Sequence, residues 1–364
     1  MSPATQSIRG AAGSLLVVGL SGTELTGLER AWLRLVRPSG IILFRRNIAD
    51  AAQTRELLSA ATTYCSSSAM RCVDIEGGTV DRLRDAVAPM PSAHAVAQTE
   101  RPSLMRRHGM LIASECLAFG FNATLAPVLD LALPASTAVM GTRSPASTPT
   151  ATVRYAREFL AGLASKGVIG CGKHFPGLGG GTCDSHLETP AIQRSWRELW
   201  REDLVPYREL MKELPMIMVT HAAYPETRSG GSPATASRSW VTIILQQRIG
   251  YKGLIFSDDM EMGGILKFQP IEEAAISALR AGIHMLEICH SPELILRCYE
   301  SLTREAERSI AFRRILLERA ATAAQLRRTR FGAPATRALS KAQLAALREK
   351  ILLFSDDIKA AASR

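Results

Sequence analysis

Eight side chains that could bind or transform a substrate follow short apolar runs of this chain. They are Asp74, Arg143, Lys173, His174, Asp184, His186, His221 and Asp258. Carboxylates and imidazoles can act as nucleophiles, exchange protons or bind a metal ion, whereas lysine and arginine donate hydrogen bonds to polar groups. If the fold brings these side chains together, they can form the active site of an enzyme.

The apolar runs and the segments between them predict an alternation of strands and helices. The predicted strands are 15–20, 40–44, 70–74, 124–131, 167–175, 216–221, 253–258 and 285–289. Helical patterns lie between them, for example at 23–36, 50–63, 103–119, 149–166, 195–214 and 271–281. Eight such units favour an α/β fold, a closed (β/α)8 TIM-type barrel, over an open sheet. TIM barrels build their active sites at the carboxyl ends of the strands, so all eight side chains are expected on one rim.

The chain is predicted to divide into a catalytic barrel, residues 1–330, and a C-terminal helix packed on the barrel exterior, residues 331–364. Ser340 and Gln343 could form a capping box at the start of this helix. Its apolar residues recur at helical spacing: Leu344, Leu347, Ile351 and Ile358. The sequence Phe-Ser-Asp-Asp occurs both here, at 354–357, and at 256–259. In the helical copy, both carboxylates are expected to be solvated surface charges.

The charge balance is basic, with 44 Lys and Arg against 34 Asp and Glu and a formal net charge of +10. The basic residues are spread along the chain apart from a denser stretch at 304–330, and aromatic residues make up only 5%. We therefore expect a solvated basic helix face, and no binding of nucleic acid. The same charge could attract an anionic substrate.

The apolar segments and the cysteines are typical of a cytoplasmic protein. No apolar run approaches the ~18 residues of a membrane span, so we expect no membrane association. The segment 15–20 is interpreted as the first barrel strand and not as the core of a signal peptide. Seven cysteines occur without a CxxC pair, which fits reduced thiols. We expect a monomer.

Eight short motifs occur in a fixed order along residues 15–300. The most informative are Lys-His-Phe-Pro-Gly at 173–177, Asp-Ser-His-Leu at 184–187, Ile-Phe-Ser-Asp-Asp-Met at 255–260 and Asp-Ile-Glu-Gly-Gly-Thr-Val-Asp-Arg at 74–82. The others are Gly-Ile-Ile-Leu-Phe-Arg-Arg-Asn at 40–47, Ala-Pro-Val-Leu-Asp at 126–130, Met-Val-Thr-His at 218–221 and Pro-Ala-Thr at 233–235. Together they resemble the bacterial β-N-acetylglucosaminidases of glycoside hydrolase family 3, the NagZ type. Each motif is weak alone, but their joint order and spacing are highly specific.

The resemblance implies a retaining, exo-acting β-N-acetylhexosaminidase that removes terminal β-linked N-acetylglucosamine from muropeptide fragments during peptidoglycan recycling. It implies no metal or organic cofactor. It places the nucleophile on Asp258 and the general acid/base on His186, supported by Asp184. An unperturbed imidazole, with a pKa near ~6.5, suits proton exchange at neutral pH. The structural alternatives are a helix cap for Asp258, a role that Asp259 fits better, and a surface turn at 184–186.

The resemblance also implies five substrate-binding residues: Asp74, Arg82, Arg143, Lys173 and His174. Asp74 would accept hydrogen bonds from outer hydroxyls of the terminal sugar. The other four would donate hydrogen bonds to hydroxyls or to the acetamido group. The alternative is structural, since Asp74 could form an internal ion pair with Lys173 or with an arginine.

The Gly-rich segment at 177–181 departs from the family pattern. The family commonly has Gly-His-Gly-Asp-Thr at these five places, and this chain has Leu178, Gly180 and Gly181 instead of the His, Asp and Thr. A family Asp before the last strand is replaced by His284. We expect these changes to affect loop ordering and substrate preference. Dense glycines favour mobility, so the loop is predicted to swing and carry His186 over the bound sugar.

Three other functions fit parts of the sequence. A phosphorylase could use the same site, because a neutral imidazole repels phosphate less than a carboxylate does. A metal-dependent barrel hydrolase could use the carboxylates and imidazoles of the rim, but no His-x-His pair ends a strand and Lys173 would repel a cation. A non-catalytic sugar-binding protein would be expected to have lost Asp258 or His186.

Overall fold

Eight parallel strands follow one another in chain order and close into a barrel. The computed structural model describes residues 7–66, 68–181, 189–331 and 338–362. The strands are β1 (Leu16–Gly19), β2 (Gly40–Leu43), β3 (Met70–Val73), β4 (Ala123–Thr124), β5 (Ile169–Phe175), β6 (Met216–Val219), β7 (Leu254–Asp259) and β8 (Met285–Ile288). β1 pairs with both β2 and β8, so the sheet closes on itself. The predicted (β/α)8 TIM-type barrel is confirmed.

Helices surround the barrel. They are α1 (Ile8–Gly13), α2 (Gly27–Val36), α3 (Ala51–Thr62), α4 (Ala93–Gln98), α5 (Pro102–Phe119), α6 (Thr137–Met140), α7 (Pro149–Ala164), α8 (Trp196–Arg201), α9 (Val205–Glu209), α10 (Gly263–Leu266), α11 (Ile271–Ala281), α12 (Pro292–Arg308), α13 (Ile310–Arg330) and α14 (Lys341–Ala362). A π-helical segment, Ser239–Arg248, precedes β7. Within the described ranges, none of these helices combines the length and the apolar character needed to cross a membrane.

The barrel strands are apolar on both faces because side chains fill the interior and helices cover the outside. In β2, for example, Ile41, Ile42 and Leu43 are completely buried. β1 lies close to β8 at Gly19, where a Cβ atom would stand 1.8 Å from the carbonyl oxygen of Cys289. Only glycine fits there, so this contact fixes the spacing of the two strands beside the pocket described below.

Two predicted elements differ from the structure. The fourth strand is predicted at 124–131 but only Ala123–Thr124 pairs regularly on both sides, because Pro127 has no N–H to continue the ladder. The helix predicted at 195–214 is divided into α8 and α9. Pro206 lies in the first turn of α9, where its missing N–H costs nothing, and it would interrupt a continuous helix.

The basic stretch at 304–330 forms the end of α12 and all of α13, and most of its arginines are exposed. The expected solvated face is wrong for Arg327, which is 2% exposed. Its Nη1 donates a hydrogen bond to the carbonyl oxygen of Ser14 at 3.2 Å. Burial lowers the pKa of the Arg327 guanidinium to about 10. This side chain ties α13 to the turn before β1.

The cysteines that the structure describes carry free thiols: Cys65, Cys72, Cys116, Cys171, Cys289 and Cys298. Cys183 lies outside the described residues. All six are buried except Cys65, which is partly buried. Burial raises the pKa of each of these thiols. They are therefore protonated at neutral pH.

The C-terminal helix α14 packs against α5 and α4. Its buried residues are Leu347, Ile351, Phe354 and Ile358. The Phe354 ring stacks on His108 of α5, with 5.8 Å between the ring centroids. Asp356 and Asp357 are exposed, as predicted for the helical copy of Phe-Ser-Asp-Asp. Position, and not the motif itself, therefore distinguishes this copy from the one that ends β7.

Replacing Phe354 by alanine tests the packing of α14 on α5. Phe354 is fully buried, so Phe354→Ala should lower the free energy of unfolding by about 3 kcal/mol. The neighbouring Leu353 is 54% exposed, and Leu353→Ala should change it by less than about 0.5 kcal/mol. Urea unfolding followed by circular dichroism measures both. Equal effects of the two substitutions would contradict the packing described here.

Candidate active site

A pocket of about 450 Å³ opens at the carboxyl ends of the barrel strands. Residues at or just after the ends of five different strands line it: Phe44, Asp74, His174, Asp258 and Cys289. Six of the predicted site residues meet here: Asp74, Arg82, Arg143, Lys173, His174 and Asp258. Asp184 and His186 lie outside the described residues. The side chains expected on one rim therefore share this pocket where the structure describes them, except for His221, which does not line it.

Lys173 forms the centre of a buried ionic network. Its Nζ lies 2.9 Å from Oδ1 of Asp74 and 2.6 Å from Oε1 of Glu76. Arg143 binds Glu76 through two hydrogen bonds, of 2.8 and 2.9 Å. Arg82 lies farther from Asp74, at 3.7 Å. Burial opposes the charge of Lys173, but the two carboxylates outweigh it and raise the pKa of the ammonium group.

The carboxylates of this network are ionised. Burial alone would raise the pKa of Asp74, but Lys173 and Arg82 outweigh it, so the pKa lies below its usual value. Burial is likewise outweighed at Glu76, where Arg143 and Lys173 lower the pKa. Asp74 and Lys173 thus form the internal ion pair that was the alternative to substrate binding. Because both residues also line the pocket, the pair can hold charged acceptors and donors in place for a ligand.

Asp130 holds His174 and the start of the Gly-rich loop together. Its Oδ2 lies 2.6 Å from Nδ1 of His174, and its Oδ1 accepts a hydrogen bond from the backbone N–H of Leu178 at 2.7 Å. The backbone N–H of His174 also donates to this carboxylate, at 3.2 Å. Asp130 therefore fixes the imidazole ring in one orientation. Asp130 was not among the predicted site residues; the available signal was a lone carboxylate within the apolar strand predicted at 124–131.

Asp258 is half-buried at the end of β7. Its Oδ1 accepts a hydrogen bond from the backbone N–H of Asp259 at 2.9 Å. It does not cap the next helix, because α10 begins after Met262. Asp259 organises the turn, since its Oδ1 accepts from the N–H of Glu261 at 3.1 Å. Neither aspartate caps α10, so the cap expected of Asp259 is wrong: Asp259 stabilises the turn before the helix instead, and Asp258 faces the pocket.

His221 supports this strand end from behind. It is fully buried, with Nε2 3.0 Å from the carbonyl oxygen of Asp259 and Nδ1 2.9 Å from Oγ1 of Thr235. Because a carbonyl oxygen can only accept, Nε2 carries the proton in this arrangement. Burial lowers the pKa of His221, so the ring is neutral. Both ring nitrogens are engaged, and His221 positions β7 without lining the pocket.

A second acidic cluster lies on the β7–β8 side of the pocket. Donor atoms of Asp259, Glu261 and His290 lie within 4.8 Å of one another, the one such group of metal-ligating side chains within the described ranges. Burial, with the neighbouring Glu261, raises the pKa of Asp259 to about 7. Arg46 lies close enough for its charge to act on Asp259 and Glu261. That cation would oppose the binding of a metal ion. This cluster was not predicted from the sequence.

The Gly-rich loop starts as a packed segment. Leu178 is 6% exposed and lines the pocket, and Tyr224 donates a hydrogen bond to the carbonyl oxygen of Gly177 at 2.7 Å. A Cβ at Gly179 would lie 2.7 Å from the carbonyl oxygen of Leu131, and one at Gly180 would lie 2.8 Å from Arg194. The glycines at 179 and 180 thus allow close packing, which corrects their interpretation as a source of mobility. The predicted swing concerns 182–188, which lie outside the described residues.

The chain is similar to known glycosidases along most of its length. Residues 12–316 match the family model described as glycosyl hydrolase family 3 N-terminal domain. A β-hexosaminidase of Alkalilimnicola ehrlichii is 37% identical over 287 residues, which cover 77% of this chain and 82% of that protein. The β-N-acetylglucosaminidase of a Paenibacillus species superposes with a TM-score of 0.87 at 28% identity, covering 96% of this chain and 69% of the other. NagZ of Neisseria gonorrhoeae, bound to N-trifluoroacetyl-D-glucosamine, superposes with a TM-score of 0.72 at 30% identity, covering 85% and 98%.

The ionic network can be tested through the pH dependence of stability. Lys173→Met leaves buried carboxylates without their shared cation, which should lower the free energy of unfolding at pH 7 by about 3 kcal/mol. Asp74 and Glu76 have lowered pKa values in the folded wild type. Their contribution to stability is therefore present above the unfolded pKa of about 4 and is lost as the pH falls below it.

In the variant, protonation relieves the uncompensated charge, so the difference in Tm from the wild type should shrink between about pH 6 and pH 4. Scanning fluorimetry across this range measures the difference. Lys166→Met, at an exposed lysine near the start of β5, is the matched control and should leave Tm unchanged. A Tm difference that stays constant with pH would argue against the network.

Proposed function

We propose that this chain, which belongs to glycosyl hydrolase family 3 and is a glycoside hydrolase of the β-hexosaminidase type, is a retaining, exo-acting β-N-acetylhexosaminidase. It removes terminal β-linked N-acetylglucosamine from muropeptide fragments in the cytoplasm, as part of peptidoglycan recycling. It acts as a monomer without a metal or organic cofactor. The substrate class is supported by the sugar derivative bound to the gonococcal NagZ.

The proposal rests on one observation: Asp258 lines the same pocket as the buried ionic network around Lys173. A retaining glycosidase needs a carboxylate beside the anomeric carbon and groups that hold the sugar in one pose. Asp258 is half-buried at the rim, and Asp74 and Lys173 are anchored by each other. The terminal sugar would bind Asp74, Arg82, Arg143, Lys173 and His174 through its hydroxyls and acetamido group.

The reaction then proceeds in two steps with one inversion each. Asp258 attacks the anomeric carbon and forms an ester bond as the glycosidic bond breaks, and His186 gives its proton to the departing oxygen. In the second step His186 takes a proton from water, the water oxygen attacks the same carbon, and the ester bond breaks. The sugar leaves with its β configuration retained, and both residues return to their starting states. Asp184 orients the imidazole by accepting from its other nitrogen.

The anchoring of the loop supports the role of His186. On one side Leu178 lines the pocket, and on the other side Oγ1 of Thr189 donates to the carbonyl oxygen of Gly264 at 2.7 Å. Gly264 lies in the first turn of α10, shortly after Asp258. The described residues before and after 182–188 thus lie near the pocket. A segment of this length that extends outward and returns can reach roughly 12 Å from its ends. This distance is enough to bring His186 over a bound sugar.

The nucleophile is tested by Asp258→Asn. The helical copy of Phe-Ser-Asp-Asp on α14 provides the control. Without the carboxylate no ester can form, so hydrolysis of an aryl β-N-acetylglucosaminide should fall by about 10³-fold or more. Asp356→Asn, in the exposed copy on α14, should leave kcat/KM unchanged. Initial rates of chromophore release measure both. A mechanism-based fluorosugar that labels a residue other than Asp258 would overturn the assignment.

The acid/base role is tested by His186→Ala on two kinds of leaving group. An aryl oxide of low basicity needs little protonation, whereas a sugar alkoxide needs a full proton. The first bond-breaking step should therefore lose about tenfold on the aryl substrate and at least about 10³-fold on a natural disaccharide. Pre-steady-state release of each leaving group measures this step. Equal losses on both substrates would count against His186 as the proton donor.

A further inference from the structure

Glu287 is an acidic side chain in the apolar barrel interior that the mechanism above does not use. It lies on β8 between Leu286 and Ile288, both completely buried. Glu287 itself is 3% exposed, yet it lines the pocket together with Asp74 and Asp258. Its backbone N–H donates to Oγ of Ser257 at 3.0 Å, which fixes the strand position from which the side chain extends.

The carboxyl group of Glu287 is only half satisfied. Its Oε1 lies 3.2 Å from Sγ of Cys289, a weak donor. Its Oε2 is buried and makes no hydrogen bond to any residue in the described part of the chain. Burial, together with the charges of Asp74, Asp259 and Asp258, raises the pKa of Glu287 well above its usual value. The shift favours the uncharged carboxylic acid, which has one O–H to donate.

Such a group lowers the stability of the barrel. A buried polar atom without a partner costs roughly 1–3 kcal/mol, and a leucine would suit the surrounding apolar side chains better. Asp74 and Glu76, in the same pocket, are fully paired with cations. A costly and unpaired polar atom at the base of a binding pocket is typical of a residue whose partner arrives with the ligand.

The position of Glu287 limits what that partner can be. Its carboxyl group is within electrostatic range of Asp258, which the proposed function places beside the anomeric carbon, and of Asp74, which it places at the outer hydroxyls. A terminal sugar that spans these two residues would bring one of its ring hydroxyls near Glu287, which lines the same pocket. An uncharged acid also matches a hydroxyl, which can both accept and donate a hydrogen bond.

We propose that Glu287 is a substrate-binding residue whose carboxylic acid donates a hydrogen bond to one ring hydroxyl of the terminal sugar, at a position away from the bond that is broken. This inference rests on the proposed function. Glu287 then acts on specificity: it favours sugars that carry this hydroxyl, because an analogue without it leaves the buried acid unpaired.

The test compares Glu287→Leu and Glu287→Gln on an aryl β-N-acetylglucosaminide and on its 3-, 4- and 6-deoxy analogues. Glu287→Leu should raise KM about tenfold with little change in kcat, since one hydrogen bond to the sugar is lost. It should also raise Tm, because an unpaired buried polar atom is removed. Glu287→Gln keeps a donor and should stay within about threefold of the wild type in KM.

One deoxy analogue should identify the partner hydroxyl. On that analogue Glu287→Leu should cause no further rise in KM relative to the wild type, because the interaction is already absent. Glu115 on α5 is the matched control: it is fully buried, neither of its oxygens bonds to a residue that the structure describes, and it does not line the pocket. Glu115→Leu should raise Tm and leave KM unchanged.

The possible results distinguish a failure of this inference from a failure of the proposed function. An unchanged KM in Glu287→Leu would overturn the inference and leave the proposed function standing. If Glu287→Leu and Glu287→Gln both lower Tm and both lose activity, Glu287 has a structural role. That result would also overturn the inference. If the wild type does not hydrolyse the aryl substrate, the proposed function fails and this inference fails with it.

Discussion

An ammonium group buried between two carboxylates is the interaction on which the pocket depends. Taking three charges out of water costs several kcal/mol per ion, and only close pairing repays it. Lys173 meets this condition with contacts of 2.6 and 2.9 Å, and Arg143 adds a bidentate pair on Glu76. These residues come from the loops after β3 and β4 and from β5 itself. Electrostatic compensation therefore sets the geometry of three neighbouring units of the barrel at once.

The two sides of the pocket consequently differ in protonation. Around Lys173, nearby cations lower the pKa values of Asp74 and Glu76, which stay ionised. On the side of β7 and β8, burial raises the pKa values of Asp259 and Glu287 and favours their neutral forms. Asp258 lies between these regions, at a strand end that His221 supports through the carbonyl oxygen of Asp259. One side can thus present fixed charges to a ligand and the other an uncharged donor.

The sequence predicted the barrel and the rim well because both follow from order along the chain. Strand ends can be located from apolar runs, and parallel strands place their carboxyl ends together. The order of residues along the chain does not show which side chains pair across strands. Asp130 and Glu76 were visible in the sequence, but their partners His174 and Arg143 are 44 and 67 residues away in the chain. Glu287 was not predicted as a site residue, because a single acid in an apolar run shows no periodicity.

Local chemistry explains the remaining differences. Pro206 divides a predicted helix, and the glycines at 179 and 180 turn out to allow tight contact with Leu131 and Arg194. A glycine can make a loop mobile or allow another segment to pack closely against it. The neighbouring atoms decide which of the two occurs. Arg327 is similar, because a basic residue in a basic helix gives no sign that it will be buried against the turn before β1.

The buried thiols give this barrel a built-in chemical reporter. A thiol reacts with alkylating reagents only as the exposed thiolate, and Cys72, Cys171 and Cys289 are both inaccessible and protonated in the folded state. They lie on β3, on β5 and just after β8, so they report on three different strands of the sheet. Their rates of modification at low denaturant would therefore record how often each part of the barrel opens, strand by strand, without any added label.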